Sequence, residues 1–260
     1  MNDDLTLDRE YQLGDQAPKV GLIQEWLCLH DLNVVIDHQF GPATSAAVRQ
    51  FQTQAGITVD GVVGPLTFRR LILPMTDALK PIPPAGHTLG QLVALLAQQH
   101  FASRPREVGG QNKGPWVRLY MSGHDGAEWP WCAGFASFLL TQAAHALSVA
   151  LPITPSVSCD SLAASAKATG RFLAEAEAGD HTRITPGAFF LQRRTDTDWS
   201  HTGIVLRALA DVFQTIEGNT NDDGSREGYE VCQRVRGYSG KDFVLLSRAR
   251  SRSRRERRSN

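Results

Sequence analysis

The sequence predicts an α+β protein: a small three-helix bundle, then a domain of N-terminal helices packed on an antiparallel sheet. Three observations carry this. A Gly-Pro turn is duplicated between residues 37 and 67, helical apolar spacing recurs between about 88 and 147, and short β-rich runs follow Thr185. Helices first and strands later give segregated layers rather than alternating βαβ units.

The bundle is read from the repeat. Asp37-His-Gln-Phe40-Gly41-Pro42-Ala-Thr44 is echoed by Asp60-Gly-Val-Val63-Gly64-Pro65-Leu-Thr67. Each copy is an acid-led turn followed by Gly-Pro. Proline suits the first helical position, where its missing N–H would have had no partner. Ala43, Ala47, Val48 and Phe51 then follow helical spacing in one copy, and Leu66, Phe68 and Leu71 do so in the other. An earlier helix is expected over 19–30, with Val20, Ile23, Leu27 and Cys28 on its core face.

Residues 1–73 thus form the first domain. Pro81, Pro83 and Pro84 stiffen residues 74–87, which are expected to be a linker without regular helix. From Thr88, a plausible N-cap, Leu89, Leu92, Val93 and Leu96 open the second domain, which runs over residues 88–247. Its strands are expected at 188–192, 202–208, 212–217, 230–236 and 243–247.

The chain of 260 residues is 42% apolar, which suits globular domains, and its formal charge is zero. That balance hides a basic end. Residues 248–260 hold seven Arg and one Glu, a net of about +6. A tail without apolar residues after Ala249 cannot build a core, so disorder is expected there. It is read first as solubilising, with contact to an anionic surface as the alternative. No nucleic-acid partner is expected, and the chain is expected to be a monomer. No run of 18 apolar residues is present, and the acidic first ten residues do not form a secretory signal. Synthesis in the cytoplasm without an export signal is therefore expected. Cys28, Cys132, Cys159 and Cys232 form no CxxC pair. Free thiols are expected, with Cys28, Cys159 and Cys232 structural.

Chemistry gathers at Cys132. It sits in Pro130-Trp131-Cys132-Ala133-Gly134-Phe135, just before the helical pattern of Phe135, Ala136, Leu139, Leu140 and Ala143. At a helix start, unpaired backbone N–H groups and the positive dipole end favour thiolate over thiol. The same N–H groups can stabilise an oxyanion. His201 opens the strand His201-Thr-Gly203-Ile-Val205, and the next strand ends Ile216-Glu217-Gly218-Asn219. A hairpin turning near 209–210 sets His201 opposite residue 217 or 219, which face the same way. Either Glu217 or Asn219 can then orient the imidazole as the third group of a triad.

Two resemblances follow. Val20…Ile23-Gln24…Leu27, Phe40-Gly41…Thr44…Val48…Phe51-Gln52…Gly56-Ile57 and Asp60-Gly61…Gly64…Thr67…Leu71 closely resemble the three-helix peptidoglycan-binding domain over about residues 13–73. Trp131-Cys132-Ala133-Gly134-Phe135, Pro186-Gly187…Phe190, Ser200-His201-Thr-Gly203 and Ile216-Glu217-Gly218-Asn219-Thr220 resemble the CHAP amidase/endopeptidase domain, which is papain-like. Ala188 departs from that family, which often places an acid there. The second resemblance implies Cys132 as nucleophile, His201 as general base and Glu217 as its orienting partner. Asn219 is the competing third member or a helper.

The implied reaction is hydrolysis of a stem-peptide amide in peptidoglycan, either the N-acetylmuramoyl-L-alanine bond or a peptide bond. A phage-type lysin or a delivered toxin, reaching the wall through a holin or a secretion machine, is the matching biology. The alternative is a non-catalytic wall-binding adaptor. The Cys132 N–H is one expected oxyanion donor, with Gln111 or Asn112 offered as the second. No cofactor is expected. Asn219-Thr-Asn221-Asp-Asp223-Gly224…Glu230 has the oxygen spacing of a calcium loop, but strands flank it and a polar turn is the preferred reading. His124-Asp125 and Asp180-His181 are read as solvated loop pairs rather than metal ligands. Trp129 and Trp131 are read equally as cleft floor or core.

Overall fold

A computed structural model describes residues 3–179, 181–221 and 228–247. Helices come first: α1 (Pro18–Leu29), α2 (Pro42–Gln54), α3 (Pro65–Leu71), α4 (Leu73–Ala78), α5 (Leu89–Ala102), α6 (Pro115–Tyr120), α7 (Cys132–Leu147) and α8 (Cys159–Ala168). Strands follow: β1 (Phe172–Leu173), β2 (Phe189–Thr195), β3 (Asp198–Ala208), β4 (Val212–Thr220), β5 (Glu230–Gly237) and β6 (Lys241–Val244). They form one sheet in the order β1-β6-β2-β3-β4-β5. Every neighbouring pair is antiparallel. The expected α+β class, with helices ahead of an antiparallel sheet, is what the chain adopts.

The repeat folds as two overlapping copies of one hydrogen-bonded turn. Pro42 and Pro65 stand in the first turns of α2 and α3, as their sequence positions require. A buried glutamine closes each turn. Nε2 of Gln24 donates to Asp37 Oδ1 (2.8 Å), the Gln39 carbonyl (3.1 Å) and Thr44 Oγ1 (3.1 Å). Nε2 of Gln52 donates to Asp60 Oδ1 (2.8 Å), the Val62 carbonyl (2.9 Å) and Thr67 Oγ1 (3.1 Å). Each glutamine Oε1 accepts two turn amides, those of Asp37 and His38 or of Asp60 and Gly61. Leaving such buried groups unmet costs about 1–3 kcal/mol each, so one amide side chain fixes each loop.

Three expectations need correction here. The segment 74–87 is not wholly irregular, because α4 occupies its start. Pro74 lies in the first turn of that helix, the one place where it removes no hydrogen bond. Cys28 is half-buried rather than core, its thiol donating to the Val34 carbonyl at 3.3 Å. The last strand runs over Lys241–Val244, two residues earlier than its apolar run suggests. β1, only two residues long, has no sequence signal.

The N-terminal helices and the later elements share one apolar core that includes Ile23, Leu27, Met75, Trp116 and Phe135. Polar contacts lock the same junction. Arg118 on α6 binds Asp4 (2.6 Å), Glu25 (2.5 Å) and Asp125 (2.7 Å). Arg106 donates to the Cys28 and Leu29 carbonyls at the end of α1 (3.1 and 3.0 Å), groups a helix cannot satisfy itself. Residues 248–260 and the 222–227 part of the candidate calcium loop lie outside the described residues.

Candidate active site

Cys132 is the first residue of α7, and its apolar face drives that helix onto β3 and β4. Trp131, Phe135, Leu139, Leu140 and Ala143 are all fully buried. Their burial, at about 1.5–3 kcal/mol for each large side chain, holds the helix tip against the strands. Gly218 allows this approach, since a Cβ there would meet Trp131 and Phe135 at 2.8–2.9 Å. The sulfur is thereby held at the mouth of the sheet.

His201 lies within β3 rather than at its start, because β3 begins at Asp198. The strand is longer than its apolar run, since β2 and β3 continue to a tight turn with Thr195 paired to Asp198. Nε2 of His201 is 2.8 Å from Glu217 Oε2 on β4. The sequence leaves Glu217 and Asn219 open as partner; this hydrogen bond goes to Glu217. Nδ1 of the ring makes no other hydrogen bond and is the atom left for Cys132. Asn219 is buried, adopts φ +55° and lines the cleft with Cys132.

Glu217 is fully buried, so its charge must be met on all sides. Arg236 on β5 donates Nε to Oε1 (2.6 Å) and Nη2 to Oε2 (2.5 Å). The Thr215 hydroxyl donates to Oε1 at 2.6 Å. Burial alone would raise the carboxyl, but Arg236 and then His201 outweigh it and hold its pKa at about 2. Burial alone would lower His201, yet the charges of Cys132 and Glu217 hold it at about 9. Cys132 lies well below an ordinary thiol. The largest cause is the Cys159 thiol donating to it, and His201 and the Thr202 amide add to this against desolvation. The two shifts favour the charged forms together, thiolate at Cys132 and imidazolium at His201.

On sequence alone, Arg236, Thr215 and Cys159 have no role in the site. Arg236 sits on a strand whose pairing with β4 had no local marker. Cys159, expected to be structural, opens α8 with its Sγ 3.9 Å from that of Cys132. The two sulfurs face a cleft of about 310 Å3, lined also by Trp129, Asp160, Arg194, Asp198 and Trp199. Trp129 therefore lines the cleft, stacked on His124 with ring centroids 4.5 Å apart. Trp131 is core, its indole N–H donating to Glu107 at 2.9 Å.

Gln111 and Asn112 do not line this cleft. The Asn112 amide is spent on the Ala127 carbonyl (3.1 Å), so it braces a loop instead of facing an oxyanion. Asp125 serves Arg118 and His181 stacks on Tyr238. Among the described residues, no three His, Cys, Asp or Glu side chains gather as a metal site. Ala188 packs in an apolar cluster with Phe190, Val205 and Phe213, where an acid would have no partner.

Comparison with known proteins adds information on the N-terminal helices. Residues 16–71 match the family described as "Putative peptidoglycan binding domain". A zinc D-Ala-D-Ala carboxypeptidase of Streptomyces albus G is 45% identical over 49 residues, 19% of this chain and 19% of that protein. An uncharacterized protein in the bpoA1 3′ region of Kitasatospora aureofaciens is 45% identical over 47 residues, 18% of this chain and 40% of that protein. The chain thus spans less than half the length of either relative. The match over 16–71 supports a role at the cell wall, with peptidoglycan as a partner.

Proposed function

We propose that this chain hydrolyses an amide bond of the peptidoglycan stem peptide, with Cys132 as nucleophile, His201 as acid and base, and Glu217 orienting His201. The observation that carries this reading is the chain of contacts from Arg236 through Glu217 to His201, whose free Nδ1 is left for Cys132 at the cleft. A fully buried carboxylate is costly unless its charge is used or paired. Here it fixes one face of an imidazole and leaves the other for sulfur. The wall-binding match on the same chain supplies the substrate class. The carboxypeptidase match is short, so it lends wall polymer as a target and not zinc chemistry.

In this mechanism the Cys132 thiolate attacks the amide carbonyl carbon. The oxyanion forms beside the α7 N-terminus, where the backbone N–H groups face it. The His201 imidazolium gives its proton to the departing amine, and the C–N bond breaks. The imidazole, now neutral, takes a proton from water as its oxygen attacks the thioester; the C–S bond breaks, freeing the carboxyl product and restoring the Cys132 thiolate. Glu217 keeps the ring in one tautomer through both steps.

The test is digestion of purified sacculi, followed by mass spectrometry of the products. Wild-type protein should release new amino groups without new reducing ends, and Cys132→Ala should bind sacculi and release none. If wild type binds but releases nothing, the chain is a wall-binding adaptor and the hydrolase reading falls.

A further inference from the structure

The arrangement of the two sulfurs goes beyond a hydrolytic site. Cys132 is the first residue of α7 and Cys159 the first of α8, and both are nearly buried (6% and 7% exposed) at the floor of one cleft. Their Sγ atoms are 3.9 Å apart. A disulfide needs about 2.05 Å, so closure asks for roughly 2 Å of approach. The irregular segment 149–158 leads directly into Cys159, so the approach falls at a helix start rather than inside a helix. A nucleophile needs no second thiol for hydrolysis. A thiol at this distance is instead placed to trap an oxidised neighbour.

We propose that Cys132 and Cys159 form a reversible disulfide, with Cys159 resolving Cys132 after oxidation by hydrogen peroxide. The Cys132 thiolate attacks one peroxide oxygen, the O–O bond breaks, and hydroxide leaves and is protonated to water. Cys132 is then a sulfenic acid. Cys159 attacks that sulfur, an S–S bond forms and the S–O bond breaks. The departing hydroxide takes the Cys159 proton and leaves as a second water. Two thiols have lost two electrons and one peroxide has gained them. A dithiol reverses the bond by exchange. That oxidation also silences wall cleavage rests on the hydrolase reading above; the disulfide itself does not.

The experiment uses the full chain, reduced, desalted and exposed to hydrogen peroxide. Intact mass should fall by two hydrogens, two of the four cysteines should become resistant to alkylation, and one peptide pair should join Cys132 to Cys159. Cleavage of sacculi should fall to background and return with dithiothreitol. Cys159→Ser should gain oxygen under the same treatment, with no cross-link, and progress to a form that dithiothreitol does not restore. Oxygen addition without a cross-link in wild type would overturn the proposal, as would equal recovery of wild type and Cys159→Ser by dithiothreitol. A cross-link in a protein that never cleaves sacculi would leave the disulfide standing and remove the hydrolase.

Discussion

His201 holds its proton to about pH 9, and the Cys132 thiol loses its own well below the ordinary range, so the ion pair exists in a window between the two. Hydrolysis should follow a bell in kcat/KM, rising as Cys132 ionises and falling near pH 9 as His201 loses the proton owed to the amine. Glu217→Gln removes the negative charge that helps hold His201 up, so the alkaline limb should move to lower pH. A pH–rate profile of the variant checks the sign. His201→Ala should lower kcat by roughly 10²–10⁴-fold. Cys28→Ser should cleave like wild type, since Cys28 lies on α1, in the other domain. Cys132 and His201, the proposed nucleophile and base, could be picked out because each sits in a local motif. Arg236, Thr215 and Cys159 could not, because their roles depend on register and on a helix end 27 residues away. Cysteine type alone favours a small buried hydrophobe, so Cys159 reads as structural until its neighbour is known.

At the scale of elements, the β4–β5 pair carries a buried charge. Glu217 contributes stability above its ordinary range near 4.5, and that contribution is lost as pH falls through about 2. Arg236→Ala strips the carboxylate of its main partner. It should cost about 3 kcal/mol and move acid unfolding to higher pH, read by denaturant melts across the acid range. Gly203 lies beside the same carboxylate, and a Cβ there would come within 2.6 Å of Glu217 Cγ and 3.0 Å of the Ile216 carbonyl. Gly203→Ala should displace Glu217, lowering kcat more than it raises KM. In the bundle, the Gly-Pro repeat was readable because proline position and helix start are the same fact. The closing role of Gln24 and Gln52 was not, since glutamine has no preference that marks it as a buried turn clamp. α4 escaped for a related reason: Pro81, Pro83 and Pro84 set the expectation for all of 74–87, whereas Pro74 lies in the first turn of a helix.

For the whole molecule, the wall-binding helices and the sheet domain form one body. Arg118 gathers carboxylates from the N-terminal segment, α1 and its own domain, with Asp4 itself buried. Arg118→Ala leaves those charges facing one another. Thermal unfolding should then split into two transitions where wild type should show one, and calorimetry reads this directly. A single unsplit transition at the wild-type temperature would show that the apolar junction alone holds the domains. Sequence reading separated the domains by their prolines and missed how tightly they join, because the joining residues are scattered over a hundred positions.

Hydrolysis at this cleft requires above all that Cys132 be ionised beside His201. The most direct measurement is the rate of iodoacetamide alkylation of each cysteine as a function of pH, resolved by peptide mass spectrometry. Cys132 should react well below pH 9, ahead of Cys28, Cys159 and Cys232, and Glu217→Gln should slow it at neutral pH. Alkylation of Cys132 only as pH approaches 9, at a rate indifferent to Glu217, would contradict the account.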